Sequence, residues 1–471
     1  MEADWVPWNK NKFACGNGSP LFPCRKANDL LPSVRENRRM PFKSCQYVRL
    51  PSALKKMKQL ILWLLCALST SANATTWYVN SAASGNCNGV DWTNAWCNWS
   101  SIKWDSVNPG DIIYVAGGVY SGQLTIGRSG RAKSPITIER ARSTDAAATS
   151  ATGWKPSFDS QIVHNVPRGK AGIYINEGIG SFVIIDGRKD AGWRINISDA
   201  SAGVEIDQFA ASSVTLRYIQ VNGPGVIMET GDVRGFNLTP KRGRMSNIVV
   251  SHCEVLNGCD AAMYLNLADN ALVEYCSFHG QDSKNPEQYH TNVIYCGTVT
   301  NSTFRYNRLY DIQVEGLFFN DPNIQNIRIY RNLFYQGSIP KNSGRALQFT
   351  GKGNTNILVY NNTFVDLPTG IQLSSPGTYT ACEFKNNIVF GCTLNLGPGW
   401  ASDYNLFSGP TSEPRSIGNA SNPFSNSANF DYHLRPGSPA IDKGLKLGPP
   451  YDVNFDGNAK ASSSGSNIGA Y

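Results

Sequence analysis

TFRYNRLY at residues 303–310 returns as RIYRNLFY at 328–335, LVYNNTFV at 358–365 and EFKNNIVF at 383–390. Upstream, VVSHCEVL (249–256) and LVEYCSFH (272–279) fill the same frame, with cysteine where the later copies carry asparagine. Asn307, Asn332, Asn362 and Asn387 therefore share a column with Cys253 and Cys276. Two residues on, each copy has an apolar residue: Val255, Phe278, Leu309, Phe334, Phe364 or Val389. A second run alternates with the first: AMYLN (262–266), NVIYC (292–296), GLFFN (316–320), ALQFT (346–350), GIQLS (370–374) and TLNLG (393–397). The repeat is 23 to 31 residues long. Short β-rich runs at that period, separated by turn residues, signal a solenoid.

Strand chemistry selects a β-helix over a helical repeat. Each run has only four to six residues rich in Val, Ile, Phe and Tyr, with strand-like alternation. Stacked coils place equivalent residues about 4.8 Å apart, so like side chains form ladders. An asparagine column at a sharp turn can hydrogen-bond along such a ladder, which makes it scaffold rather than a site.

The chain resembles the secreted bacterial right-handed parallel β-helix proteins of the pectate-lyase-like superfamily. Three parts carry the resemblance: the front stretch TWYVNSAASGNCNGVDWTNAWCNWSSIKWDSVNPGDIIYVAGGVYSGQLTI (76–126), the asparagine repeat, and the tail FDYHLRPGSPAIDKG (430–444) with NIGAY (467–471). It implies an all-β solenoid of three strands per coil and roughly ten or more coils, with an N-terminal cap. In that frame the 262–266 type of segment is the first strand, and the asparagine turn joins the second to the third. The core would take Met263/Leu265, Val293/Tyr295, Leu317/Phe319, Leu347/Phe349, Ile371/Leu373 and Leu394/Leu396. Tyr264, Ile294, Phe318, Gln348, Gln372 and Asn395 would face out. The same frame suggests disulfides Cys253–Cys276, Cys87–Cys97, Cys382–Cys392 and Cys259–Cys296.

The body of the chain gives no electrostatic support to nucleic-acid binding. Of 43 Lys/Arg and 35 Asp/Glu, residues 1–74 hold 12 and 4, which leaves 31 of each for residues 75–471. The basic front reads as a secretory signal: Lys55, Lys56 and Lys58, the apolar run Leu60–Leu68, then Ala-Asn-Ala ending at Ala74. The run is about half of what a membrane span needs. We therefore expect an upstream extension at 1–56, a signal peptide at 57–74 and one β-helix domain at 75–471. Within it, 75–110 form the cap region and 420–471 a C-terminal coil and tail. The mature chain would be exported, without a membrane span, and monomeric. Eight cysteines after residue 74 fit an oxidising compartment, and no Cys-x-x-Cys pair there suggests zinc.

A solenoid places its site beside an exposed sheet, between loops. Two loops leading into the first strand are long, 280–291 (GQDSKNPEQYHT) and 336–345 (QGSIPKNSGR). A third insertion, 231–246, carries Arg234, Lys241, Arg242 and Arg244. Just before the first strand, Asp260, His290, Glu315 and Arg345 fall at nearly one position in successive coils. We expect Arg345 to hold a uronate carboxylate and His290, Lys284 or Lys341 to take a proton, beside Glu315. Tyr289 would donate to the leaving oxygen. Tyr264, Phe318, Gln348, Arg234 and Arg242 would contact substrate.

The leading expectation is thus a lyase on an acidic polysaccharide. A non-catalytic glycan-binding solenoid is the rival, with Glu315 and Arg345 as an ordinary surface ion pair. An inverting hydrolase using Asp260 and Glu315, two coils or roughly 9.5 Å apart, is a further alternative. No cofactor is required by these residues. Asp452-Val-Asn454-Phe-Asp456-Gly457-Asn458 has the spacing of a calcium loop, but Ser463 stands where a bidentate Glu belongs. We read it as a polar turn, with calcium the alternative.

Overall fold

The computed structural model describes residues 74–471, apart from 176–178, 190, 200, 226–232, 259, 282–290, 338–343, 374–376 and 459–464. The chain winds into three long parallel sheets. One coil reads Glu315–Phe319 in the first sheet, Gln325–Tyr330 in the second and Leu333–Tyr335 in the third, before Arg345–Phe349 returns to the first. Among the described residues the first sheet has ten strands, from Leu124–Ile126 to Thr393–Leu394, and the third has eleven. Among the described residues no helix is long and apolar enough to cross a membrane.

Single residues in the left-handed conformation make the corners. Around one coil they are Asn301, Tyr306 and Asp311, with φ of 51°, 55° and 55°. Asparagine and aspartate tolerate this region best among residues with a side chain, because their short polar groups bond locally. The buried residue after the middle corner is the sequence-predicted column. Asn332 Nδ2 donates to Phe304 O (3.0 Å), Tyr330 O (3.1 Å) and Asn362 Oδ1 (3.0 Å). Its own Oδ1 accepts from the backbone N and Nδ2 of Asn307. The column extends one rung beyond the sequence reading, to Asn405.

The cysteine pairing is corrected. Cys87–Cys97 is bonded, whereas Cys253, Cys276, Cys296, Cys382 and Cys392 form no disulfide. Cys253 and Cys276 stand where the later coils have asparagine, and Cys276 Sγ faces Val250 O at 3.6 Å as Asn307 Nδ2 faces Val273 O at 2.9 Å. Each thiol thus occupies the place of a carboxamide, directed at the backbone of the preceding coil, and the two stay in hydrogen-bond contact with each other as thiols. Cys382 and Cys392 direct their sulfurs at Thr380 O and Phe390 O. Cys259 lies outside the described residues.

Strand alternation fills the core with ladders, among them Phe319 on Phe349 (4.8 Å between ring centres) and Phe334 on Phe364 (5.1 Å). At the N-terminal end Trp96 and Trp99 are buried over the core, and Trp99 stacks on Tyr120 and Trp193. The indole nitrogen of Trp99 and the backbone O of Gly122 both face His164 Nε2, at 3.1 and 2.7 Å. Burial lowers the His164 pKa from 6.5 to about 4. Below the ordinary value the unfolded chain binds a proton that the folded chain refuses. Stability from this group is therefore full above 6.5 and falls as the pH drops towards 4. His164→Gln, which keeps an acceptor for Trp99, should lose less melting temperature than the parent over that interval. Equal losses would assign the acid sensitivity elsewhere.

Beyond Leu406–Phe407 the chain leaves the coil, forms the antiparallel pair Phe424–Asn426 and Asp431–Leu434, and runs back along the solenoid. Buried Arg331 holds this return segment, donating to Gly469 O (2.7 Å), Ala470 O (3.3 Å) and Tyr451 O (2.9 Å). Burial lowers its pKa to about 10. In the calcium-like stretch, Asn454 Oδ1 accepts from Asn458 N at 2.8 Å, and Asp456 Oδ2 lies 3.2 Å from His433 Nε2.

Candidate functional site

The outer face of the first sheet is built from two columns. At the strand starts stand Arg234, Ala261, Asn292, Glu315, Arg345 and Thr369; three residues on stand Asn237, Tyr264, Tyr295, Phe318, Gln348 and Gln372. Small residues such as Gly235 and Gly316 follow the first column. A Cβ on Gly235 would sit 2.7 Å from Val255 in the core, so this backbone turns in before the strand proper begins.

This register corrects two sequence readings. Ile294 and Cys296 are in the core, and Tyr295 stands in line with Tyr264 and Phe318 on the outside. NVIYC is apolar at both parities, so its alignment slipped by one residue, which in a strand exchanges the faces. Likewise Asn292, not His290, is the rung beside Glu315. The supposed insertion 231–246 is also corrected, because Arg234–Leu238 is itself a first-sheet strand. Its alternation was hidden by the polar residues on either side.

Two polar clusters bracket an aromatic row. At one end Arg345 Nη1 donates to Glu315 Oε1 (3.0 Å) and Nε to Gln372 Oε1 (2.7 Å). Glu315 is 4% exposed, so this pair is largely desolvated. In the middle Tyr264 and Tyr295 stack at 4.9 Å, and Phe318 meets Tyr295 edge-on at 5.6 Å. Asn320 Nδ2 donates to Tyr295 Oη at 3.0 Å. At the other end the Arg234 guanidinium lies 4.2 Å from the Tyr264 ring centre and donates to Asn237 Oδ1 (3.0 Å). Asn237 in turn donates to Glu205 Oε1 (2.8 Å). Burial, reinforced by nearby Asp207, raises the Glu205 pKa despite the bond from Asn237. Arg234 and Arg345 are four rungs apart, roughly 19 Å.

The structure therefore brings together Glu315, Arg345, Tyr264, Phe318, Gln348 and Arg234 on one face. Arg242 sits at the corner beyond, against Phe209 at 5.5 Å. Asp260 is buried one residue before Ala261. His290, Lys284, Tyr289 and Lys341 lie outside the described residues. Tyr295, Gln372, Asn237 and Glu205 complete the face, and sequence reading assigned none of them a substrate role. Counting back in twos from Cys296 puts Ile294 in the core and leaves Tyr295 on the outside. Among the described residues no cluster of three His, Cys, Asp or Glu side chains could hold a metal ion.

Comparison with known proteins supports the fold. Residues 183–364 match the family model of the right handed beta helix region. A structure of XylC in complex with xylose is similar at TM-score 0.51 and 10% identity, covering 84% of this chain and 98% of its own. The pectate lyase Pel9A is similar at TM-score 0.49 and 14% identity, covering 85% and 98%. A rhamnogalacturonan lyase follows at TM-score 0.47 and 14% identity, covering 74% and 87%. No curated protein matches the sequence. The three parallel sheets, the asparagine column and the match over residues 183–364 together show that the chain folds as a right-handed parallel β-helix.

Proposed function

We propose that the protein acts on an acidic polysaccharide lying along the outer face of the first sheet, and that it cleaves by β-elimination beside a uronate carboxylate. The observation that carries this reading is Arg345, a guanidinium fixed by Glu315 and Gln372 at the end of an aromatic row. Such a fork pairs with a carboxylate and stabilises the negative charge that grows when the neighbouring carbon loses its proton. As that proton leaves to a base, a carbon–carbon double bond forms, the bond to the glycosidic oxygen breaks, and that oxygen takes up a proton. His290, Lys341 and Lys284 are the candidate bases, and Tyr289 the candidate donor to the leaving oxygen. Export across the membrane fits a polymeric substrate. The lyases among the similar structures agree with this substrate class.

The aromatic row favours a second reading, a glycan-binding solenoid. Ring faces and edges of Tyr264, Tyr295 and Phe318 form a half-buried strip suited to the apolar faces of sugars. On either reading Tyr295→Ala should weaken binding of a soluble acidic glycan about tenfold, measured by titration calorimetry. An unchanged affinity would remove the strip from the site.

The test is to incubate the protein with alginate, pectate and chondroitin, with calcium and with a chelator. Ultraviolet absorbance of unsaturated uronate ends and the appearance of new reducing ends are followed together. Absorbance rising on one polymer is the expected result. New reducing ends without it would make the protein a hydrolase, and neither signal would leave the binding reading.

A further inference from the structure

The second sheet carries a cavity of about 360 Å³, lined by Asn301, Thr303, Asn326, Arg328, Asn356 and Leu358. It lies at the bend where left-handed residues break each strand of that sheet, away from the first-sheet columns. Its floor is a second asparagine ladder, separate from the buried one. Asn356 Nδ2 donates to Asn326 Oδ1 (2.8 Å), and Asn326 Nδ2 to Asn301 Oδ1 (2.7 Å). These three residues are exposed, unlike Asn332 and Asn362.

The bend alone does not demand asparagine, because Ser213 and Ala381 adopt the same conformation in this column with φ of 55° and 54°. A carboxamide has two N–H donors and two acceptor positions, and the ladder uses one of each. Each rung therefore retains a donor and an acceptor for something else. Above the ladder Arg328 is exposed, and no carboxylate lies within ion-pair distance among the described residues. Its neighbours in register are Thr303 and Leu358. By contrast, Arg217 and Arg305 on the outer face of this sheet are paired with Asp186 and Glu274.

We propose that this bend is a second glycan-binding site, holding an acidic sugar segment along the solenoid axis. A carboxylate or sulfate would pair with Arg328, hydroxyl groups with the free amide positions of Asn301, Asn326 and Asn356, and an apolar sugar face with Leu358. Paired donor and acceptor positions repeating about every 4.8 Å suit successive sugar rings. The site stands on its own residues and does not depend on chemistry at the first sheet. Engaging one polymer on two faces would raise avidity without new contacts at either.

Affinity electrophoresis of the full chain through gels containing polygalacturonate, alginate or chondroitin sulfate tests the proposal. Arg345→Ala removes the first-sheet cation that would hold a carboxylate, and the expected result is that this variant is still retarded by at least one polymer. Adding Arg328→Ala should then weaken the apparent affinity about tenfold, the scale of one charge-assisted contact. Adding Asn326→Ser, which Ser213 shows the bend accepts, should weaken it less. Lys103→Ala, which removes an exposed charge at the cap, should change nothing. Three results would overturn the site: no retardation of Arg345→Ala, equal retardation with and without Arg328, or an equal loss from Lys103→Ala, which would reduce the effect to net charge. Arg328 is exposed, so matching melting curves confirm that the variant is folded.

Discussion

Arg345→Ala is expected to abolish most function, with turnover of the responsive polymer falling about a hundredfold. The guanidinium is the group poised to take a substrate carboxylate, and lysine cannot reproduce its two-pronged geometry. Arg345→Lys should therefore lose nearly as much. Glu315→Gln is the informative companion. An amide can still accept from Arg345, so a residue that only positions the arginine tolerates this change within a few fold. A structural ion pair predicts another pattern, in which all three variants melt lower while activity per folded molecule is unchanged. Breaking a buried pair costs roughly 3–5 kcal/mol when one charge is stranded, so some loss of melting temperature accompanies Arg345→Ala on either account. The ratio of activity lost to stability lost separates the two, measured well below the melting transition.

Asn332→Ala should be the most damaging substitution in the scaffold, destabilising by about 3–5 kcal/mol. The carboxamide makes three donations and accepts two bonds, all buried. Alanine leaves Phe304 O and Asn307 N without these partners in a site that water does not reach. Asn356→Ala is the contrast, since that residue belongs to the exposed ladder and its partners can turn to solvent. It should cost under about 1 kcal/mol. Chemical denaturation of both variants checks the difference, and similar losses would show that ladder position does not matter.

The repeat was legible because the buried column holds asparagine from Asn307 to Asn387, with cysteine in its place at Cys253 and Cys276, whatever the strands around it hold. Its apolar companions fixed the third sheet as well. The first sheet was harder to read. Its outer face can be aromatic, amide or charged, so Tyr295 and Ile294 offered no contrast in polarity, and only the neighbouring strands settle their parity. Arg234 escaped for a related reason, as its strand is flanked by polar residues and reads like a loop. The adjacency of Glu315 and Arg345 was correctly anticipated, since both open recognisable copies of the same run. The cysteines misled because neighbours in a column need not be bonded: Cys253 and Cys276 touch, yet both remain thiols in the place of carboxamides.

The corner geometry has a consequence for how this chain can change length. From the exposed corner to the buried column there are always six residues: Asn270 to Cys276, Asn301 to Asn307, Asn326 to Asn332 and Asn356 to Asn362. The next corner follows four residues later, at Asp311 and Asp366. An insertion or deletion inside that ten-residue span would break two ladders together and should be purged. The segments on either side of the first sheet carry no such count, and they absorb all the variation between coils of 23 and 31 residues. Drift in length is thereby funnelled to the rim of a single face, where new loops can be sampled while the wall beneath them stays the same.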